Sequence, residues 1–494
     1  MRPLVTPALR KAVFSLGPAC DTPAALRSLF RAPPAALAPV VRLDLARGGW
    51  RATSPPPIPR KAAAAAHPAP RALLALYAQL RYHARLADRA RAAADGMAAG
   101  RTTPLWIDLP DSAPRSACHA RLELLPPGSE LRLAAGRNNE ALFIRGQCAQ
   151  ATLAAARPKD VVVFDGGALT ARVTGTSPLG VVSARVLPAP GATSPALPLH
   201  AEMGLVRHLK GGQVMDLCPP PSLLWDTVPF AKRLKPEFVS VSAAVLAAEP
   251  ETLPRLREAL AAPTLAAEHE WVEHARGAGT AKRGLAQLPH VRLALRLDSL
   301  AGLNALRHAP QLLEAADVLI FDTRAVLAPL IHPSQPNKPP RPAAVADAAA
   351  YVEHLADRAR ASAMPVVRVS HALDSLIHPQ ATVPAPADLT LLLDELSRDG
   401  ARGCDALAFT SVASFGSHAE VAAATWGALA AHTASHTRPA GEPVHMHIES
   451  WAQVPELLHA TAGGAVVHAT TPHKTLARQL QLLSFVVPEH VRSV

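Results

Sequence analysis

Cysteine is scarce: Cys20, Cys118, Cys148, Cys218 and Cys404 are 5 in 494 residues, with no Cys-x-x-Cys pair among them. The odd number and the spacing exclude a disulfide framework and a zinc ribbon and point to a reducing compartment. These cysteines read as small buried hydrophobes. Aromatic residues make up only 4% of the chain, so the core must rest on Ala, Leu and Val. No uninterrupted apolar run approaches the roughly 18 residues a membrane helix needs, since even the Ala-rich stretch Glu420–His432 is short and weakly hydrophobic. Charged residues are few, 18% against 49% apolar, which excludes a disordered chain. A chain of 494 residues also excludes a small stapled scaffold; at roughly 100 to 200 residues per domain it allows two to four domains.

What charge there is leans positive. Lys and Arg number 50 and Asp and Glu 39, for a net +11, which biases the surface toward polyanions such as RNA. The excess is spread along the chain, and GC-rich coding raises Ala, Arg and Pro together, so direct nucleic-acid contact and a merely basic surface both remain open. Met1–Lys11 carries Arg2, Arg10 and Lys11 with no acid, the charge pattern of an organellar presequence. A mitochondrial location is the expectation, with the cytoplasm as its alternative.

Short apolar, β-branched runs predict strands at 12–16, 40–45, 105–109, 238–242, 291–297, 318–322, 366–370 and 406–410. Helical periodicity follows most of them, as at 22–30, 71–94, 251–261, 344–361 and 418–432. Strands alternating with helices imply a parallel sheet, and eight such units imply a (β/α)8 barrel. The rhythm changes between the third and fourth strands: residues 122–186 read as strands at hairpin spacing (130–134, 140–145, 161–164, 168–173, 180–186) without helices. The predicted organisation is a barrel begun over 1–115, an inserted β domain over 116–217, the rest of the barrel over 218–434, and a short C-terminal α/β domain over 435–494. In that last part 443–448, 451–460, 465–469 and 473–483 read as strand, helix, strand, helix. Two Pro-rich loops, 51–70 and 332–342, follow barrel strands.

Several segments, in order along the chain, resemble the pyruvate kinase family. Lys11-Ala-Val-Phe-Ser-Leu-Gly-Pro-Ala19 is similar to its opening strand and Ile-Gly-Pro-Ala turn, and Val41-Arg-Leu-Asp-Leu-Ala-Arg-Gly48 to its Arg-Leu-Asn-Phe-Ser-His-Gly. Trp106–Arg115 resembles the strand that enters the inserted domain, Val163-Phe-Asp-Gly-Gly167 its Val-Asp-Asp-Gly, and Glu237–Ser242 the strand ending in Ser-Phe-x-Arg. Leu295-Arg-Leu-Asp298 resembles its Lys-Ile-Glu-Asn strand, and Met364–Leu376 its Lys-Pro-Val-Ile-x-Ala-Thr-Gln-Met-Leu-Glu-Ser-Met. The resemblance covers residues 10–426 and implies a barrel with its active mouth at the carboxyl ends of the strands. It implies phosphoryl transfer between phosphoenolpyruvate and ADP, with Mg and K as cofactors.

By that resemblance Arg42 and Arg115 match phosphate-facing arginines, Asp108 a monovalent-ion ligand, and Ser370 a threonine. Other positions depart from the family. The catalytic lysine is matched by Arg296, a planar fork in place of a compact ammonium. The metal-binding Glu is matched by the shorter Asp298. The second metal carboxylate has no direct counterpart unless Asp322 takes the role, and the monovalent-ion Asn is matched by Asp44. These losses fall on cation and metal roles that each supply several kcal/mol of transition-state stabilisation. The expectation is therefore a non-catalytic relative, with no cofactor, acting as a structural or binding subunit of a larger assembly such as an organellar ribonucleoprotein or enzyme complex. The alternative is an atypical active phosphotransferase.

Other patterns carry less. Ser370, His371 and Asp374 hold the residue types of a nucleophilic triad, but neighbours on one strand-to-helix junction do not face one another as a triad must. His445 and His447 share a strand face with no third ligand nearby, and read as a surface pair. Arg81, Arg85 and Arg89 recur at i, i+4 and i+8 and line one helix face. That face is either a solvated exterior or a docking surface for an acidic subunit or a phosphate backbone.

Overall fold

A computed structural model describes residues 11–17, 20, 22–31, 40–45, 82–93, 104–110, 115–116, 122–135, 141–145, 149–164, 169–188, 197–200, 205–208, 222–262, 291–331, 342–362, 364–377, 381–397, 404–409, 418–434, 441–447, 465–470 and 491–493. In chain order the strands are β1 (Lys11–Ser15), β2 (Val40–Asp44), β3 (Leu105–Asp108), β4 (Arg115–Ser116), β5 (Leu122–Leu125), β6 (Glu130–Ala134), β7 (Leu142–Arg145), β8 (Val161–Phe164), β9 (Leu169–Thr176), β10 (Val182–Val186), β11 (Leu197–His200) and β12 (Leu205–His208). They continue with β13 (Phe238–Ser242), β14 (Arg292–Leu297), β15 (Val318–Phe321), β16 (Val366–Ser370), β17 (Ala406–Phe409), β18 (Gly441–His447), β19 (Ala465–Thr470) and β20 (Val491–Ser493). The helices are α1 (Pro23–Arg31), α2 (82–93), α3 (Ala149–Ala154), α4 (Ser222–Arg233), α5 (Ala244–Ala248), α6 (Thr252–Ala261), α7 (Leu300–His308), α8 (Thr323–Ile331), α9 (Pro342–Ala361), α10 (Pro386–Ser397) and α11 (Ala419–Ala434).

Eight strands close a barrel in the order β1-β17-β16-β15-β14-β13-β3-β2. Each is the apolar run expected of a parallel strand covered on both faces: β2, β3, β13, β15 and β17 are buried at every position. All eight strands read from the sequence are present, each within one residue at either end. By contacts the chain divides into one unit of Met1–Arg42, Asp88–Pro104 and Val366–Val494 and another of Leu43–Ala87 and Leu105–Pro365. In the first, Phe14 of β1 stacks on Phe409 of β17 with centroids 5.4 Å apart, and Trp426 of α11 meets Phe14 edge-on at 6.3 Å. In the second, Trp106 and Phe238 stand in register on β3 and β13 with ring centroids 5.2 Å apart.

Helix α7 shows how local sequence places a loop at the barrel mouth. Ser299 caps it, its side chain accepting the Gly302 amide at 3.1 Å. Gly302 then lies so close to α5 that a Cβ there would meet Ala243 Cβ at 2.7 Å and its carbonyl carbon at 2.9 Å. Only glycine fits.

Between β3 and β13 the chain forms a seven-stranded sheet, order β12-β8-β9-β10-β6-β7-β4, and a pair β11-β5. Strands β8, β9 and β10 form successive antiparallel pairs, and β10 also pairs antiparallel with β6. Two expectations are corrected here. The region is not free of helix: α3 intervenes, because Ala149–Ala154 is Ala-rich and buries Ala149, Thr152 and Leu153 on one face. Hairpin spacing also misreads β6 and β7, which are parallel neighbours. Helix α9 begins at Pro342, two residues before the predicted start, because proline is suited to the first turn of a helix. Near the carboxyl end β18, β19 and β20 form a parallel three-stranded sheet; the helices expected at 451–460 and 473–483 lie outside the described residues. Among the described residues no helix is long and apolar enough to cross a membrane.

Candidate functional site

The richest polar cluster lies at the carboxyl ends of β3, β13 and β14. Asp108 is the last residue of β3 and is fully buried. Ser240 stands beside it in register on β13; its hydroxyl donates to Asp108 Oδ1 and accepts a 2.8 Å hydrogen bond from Trp106 Nε1. Arg296, near the end of β14, approaches Asp108 Oδ2 with Nη1 at 2.5 Å and donates from Nε to Asp298 Oδ2 at 2.6 Å. The other Asp298 oxygen accepts from Ser242 Oγ at 2.6 Å, and Ser242 in turn accepts the Ala244 amide at the start of α5, 3.2 Å away. The guanidinium is thus wedged between two carboxylates, and each carboxylate has its second oxygen occupied by a serine hydroxyl.

This arrangement follows from strand geometry. Ser240 and Ser242 alternate with Val239 and Val241, so both serines share one face of β13. Register then sets Ser240 against Asp108 and Ser242 against Arg296. A planar fork faces two carboxylates at once, Asp108 at the end of β3 and Asp298 just past β14, which a lysine ammonium does with less directional fidelity. Two anions and one cation leave the trio with a formal charge of −1. Arg296 keeps its proton at any pH the fold survives, so it cannot serve as a general base.

In the other unit, Arg42 stands in register with Ser15, and its Nη1 donates to Ser15 Oγ at 3.0 Å. Ser370, at the end of β16 and buried, donates its hydroxyl proton to Glu395 Oε2 of α10 at 2.6 Å. His371 Nδ1 instead meets Asp374 Oδ2 at 3.2 Å. Ser370, His371 and Asp374 are therefore not a relay, because the serine is turned to a different carboxylate. The turn that follows is tightly held. Leu373 has a φ of 75°, a conformation strained for a side chain of that size. Ser375 N donates to Asp388 Oδ2 at 3.0 Å, and Ala385 N donates to Ser375 Oγ at 3.0 Å. Burial pushes the Asp388 carboxyl above its ordinary value near 3.8; the Ser375 hydrogen bonds pull it back, and the nearby Asp374 charge pushes it further up.

The remaining predicted residues separate. Asp322 Oδ1 accepts the Ala325 amide at 2.9 Å and so caps α8. Asp44 is buried at the end of β2. Arg115 lies on β4, in register with Arg145 of the second sheet rather than at a barrel strand's end. Arg85 and Arg89 are exposed on α2, as their spacing requires, and Arg81 lies outside the described residues. His445 and His447 are on β18, with His445 in register with His468 of β19. Among the described residues no group of three or more His, Cys, Asp or Glu side chains is placed to hold a metal ion.

Sequence reasoning misses Ser240, Ser242 and Glu395. The period-two serines of Phe238–Ser242 were a usable signal for the first two; Glu395 carried none, because nothing local ties a helix residue to a strand end. No family model matches this chain, and no curated protein matches it.

Proposed function

We propose that the chain is a divergent, pyruvate-kinase-like barrel protein without phosphotransfer activity, serving as a binding or structural subunit of a larger assembly. One observation carries the reading: Arg296 lies between Asp108 and Asp298. The family resemblance gives those two carboxylates to a monovalent and a divalent cation. Phosphoryl transfer needs a metal ion that bridges phosphate oxygens and keeps coordination positions open to them. A tethered guanidinium supplies charge without any such position. The residues present do not fit a divalent metal, because both Asp298 oxygens are engaged by Arg296 and Ser242 and Asp322 is spent on capping a helix. Nor do they fit K, which needs hard oxygen ligands left open to it, because Asp108 is engaged by Arg296 and Ser240.

Residues 116–217 would then be the family's inserted domain, and 435–494 a shortened carboxy-terminal one. Partners would be other protein subunits, with RNA a further candidate, and the exposed face of Arg85 and Arg89 one place to meet them. The basic amino terminus favours a mitochondrial setting over the cytoplasm.

A lactate-coupled assay with phosphoenolpyruvate, ADP, magnesium and potassium tests the reading. No turnover above background is expected; turnover near 1 per second or faster, in the usual enzyme range, overturns it in favour of an atypical phosphotransferase.

A further inference from the structure

We propose that the face of the seven-stranded sheet carrying Arg172 and Arg185 docks an extended, acidic segment of a partner protein. Arg172 of β9 and Arg185 of β10 stand directly opposite each other in an antiparallel pair, so both side chains leave the same face. Like charges so placed destabilise a sheet. Neither guanidinium has an ion-pair partner among the described residues, although Glu130 of β6 stands opposite Arg185 on its other side.

Arg172 is also half-buried, and its Nε is shut off from water with no acceptor. The cause lies on its other flank. There Arg172 opposes Val161 of β8, and Val161 and Val163 pack with Ala328 of α8 and with Leu187. A buried N–H without an acceptor, next to a second guanidinium, is a costly arrangement for the chain alone. An incoming carboxylate offsets the like-charge cost, because it neutralises the pair and accepts from the guanidinium N–H groups that still face solvent, Arg185 being exposed and Arg172 half-buried.

An extended peptide fits the spacing. Its same-face side chains recur about every 7 Å, within the reach of two arginines on strands about 4.8 Å apart. Nucleic acid fits less well. It binds through many phosphates and through bases stacked on aromatic rings, whereas β6, β9 and β10 contribute no aromatic residue and Glu130 would repel a phosphate backbone. The inference adds a surface to the reading of this chain as a binding subunit and rests on that reading for its biological sense. Its test measures binding, not turnover, so either can fail without the other.

Fluorescence anisotropy with a labelled alternating Glu-Ser peptide and a labelled oligouridylate, at fixed salt, decides it. The intact protein should bind the peptide more tightly than the oligouridylate and more tightly than inorganic phosphate measured by competition. The double variant R172Q/R185Q should weaken peptide binding by about tenfold or more, the loss of one to two charge-assisted hydrogen bonds. Its Tm should be unchanged or higher, since the like-charge contact is gone. Glu130→Gln should tighten binding. Peptide affinity unchanged in the double variant, an oligouridylate that binds more tightly with the same arginine dependence, or a peptide no better than phosphate would each overturn the proposal.

Discussion

A guanidinium held between a buried carboxylate, Asp108, and a partly buried one, Asp298, has exchanged most of its water for protein oxygens, and each of the three charges depends on the others for its solvation. Removing the cation leaves Asp108 and Asp298 without their shared counter-charge, each with only a serine hydroxyl in its place. Arg296→Met should therefore lower stability by about 3 to 5 kcal/mol, read as a shift in the urea midpoint. Replacing all three charges together, as D108L/R296M/D298L, should restore much of that loss, and an equal loss in both variants would mean that the trio acts through packing alone. A second residue carries a sign that pH can expose. The folded Asp388 carboxyl holds its proton more tightly than the unfolded one, whose value is near 3.8. From there up to the raised value the native state binds more protons, so this group's contribution to stability falls as pH rises. Asp388→Asn, which keeps an acceptor for Ser375 N, should raise Tm at neutral pH, and the gain should vanish below the ordinary carboxylate value. A gain that persists at low pH would assign the effect to something other than titration.

At the level of elements, the glycine of α7 gives the sharpest prediction. Gly302→Ala drives a methyl into Ala243 Cβ and its backbone, with no flexible side chain to yield, and should cost about 1 to 3 kcal/mol as overpacking. A thermal melt within error of the parent would mean that α5 and α7 slide apart freely. The barrel strands were legible because a strand buried on both faces is a short apolar run, and Val318–Phe321 or Phe238–Ser242 can hardly be read otherwise. Helices such as α4 and α8 went unread. The first contains Pro229, a helix breaker by local rules, and the second is too apolar on every side to show a period of 3.6. Of the candidate site, the sequence exposed the charges but not their pairing. That Arg296 would reach across to Asp108 depends on the order of strands round the barrel, which local pattern does not encode.

Across the whole molecule, the charge excess includes two arginine faces among the described residues, Arg85 and Arg89 on α2 and the pair Arg172 and Arg185 on the second sheet, and the pair includes a buried Nε without an acceptor. The two are separable experimentally, because they lie on different elements and neither belongs to the barrel mouth. The closed ring of strands sets a different condition, on how the chain is made. β1 pairs with β17, about 400 residues downstream, so the barrel's first strand waits on one side for its last. Until that strand arrives, the ring has two bare edges, each a template for mispairing. A chain interrupted anywhere before residue 406 therefore ends with an unclosed sheet, and successful biogenesis requires the early barrel strands to be shielded until β17 has been made.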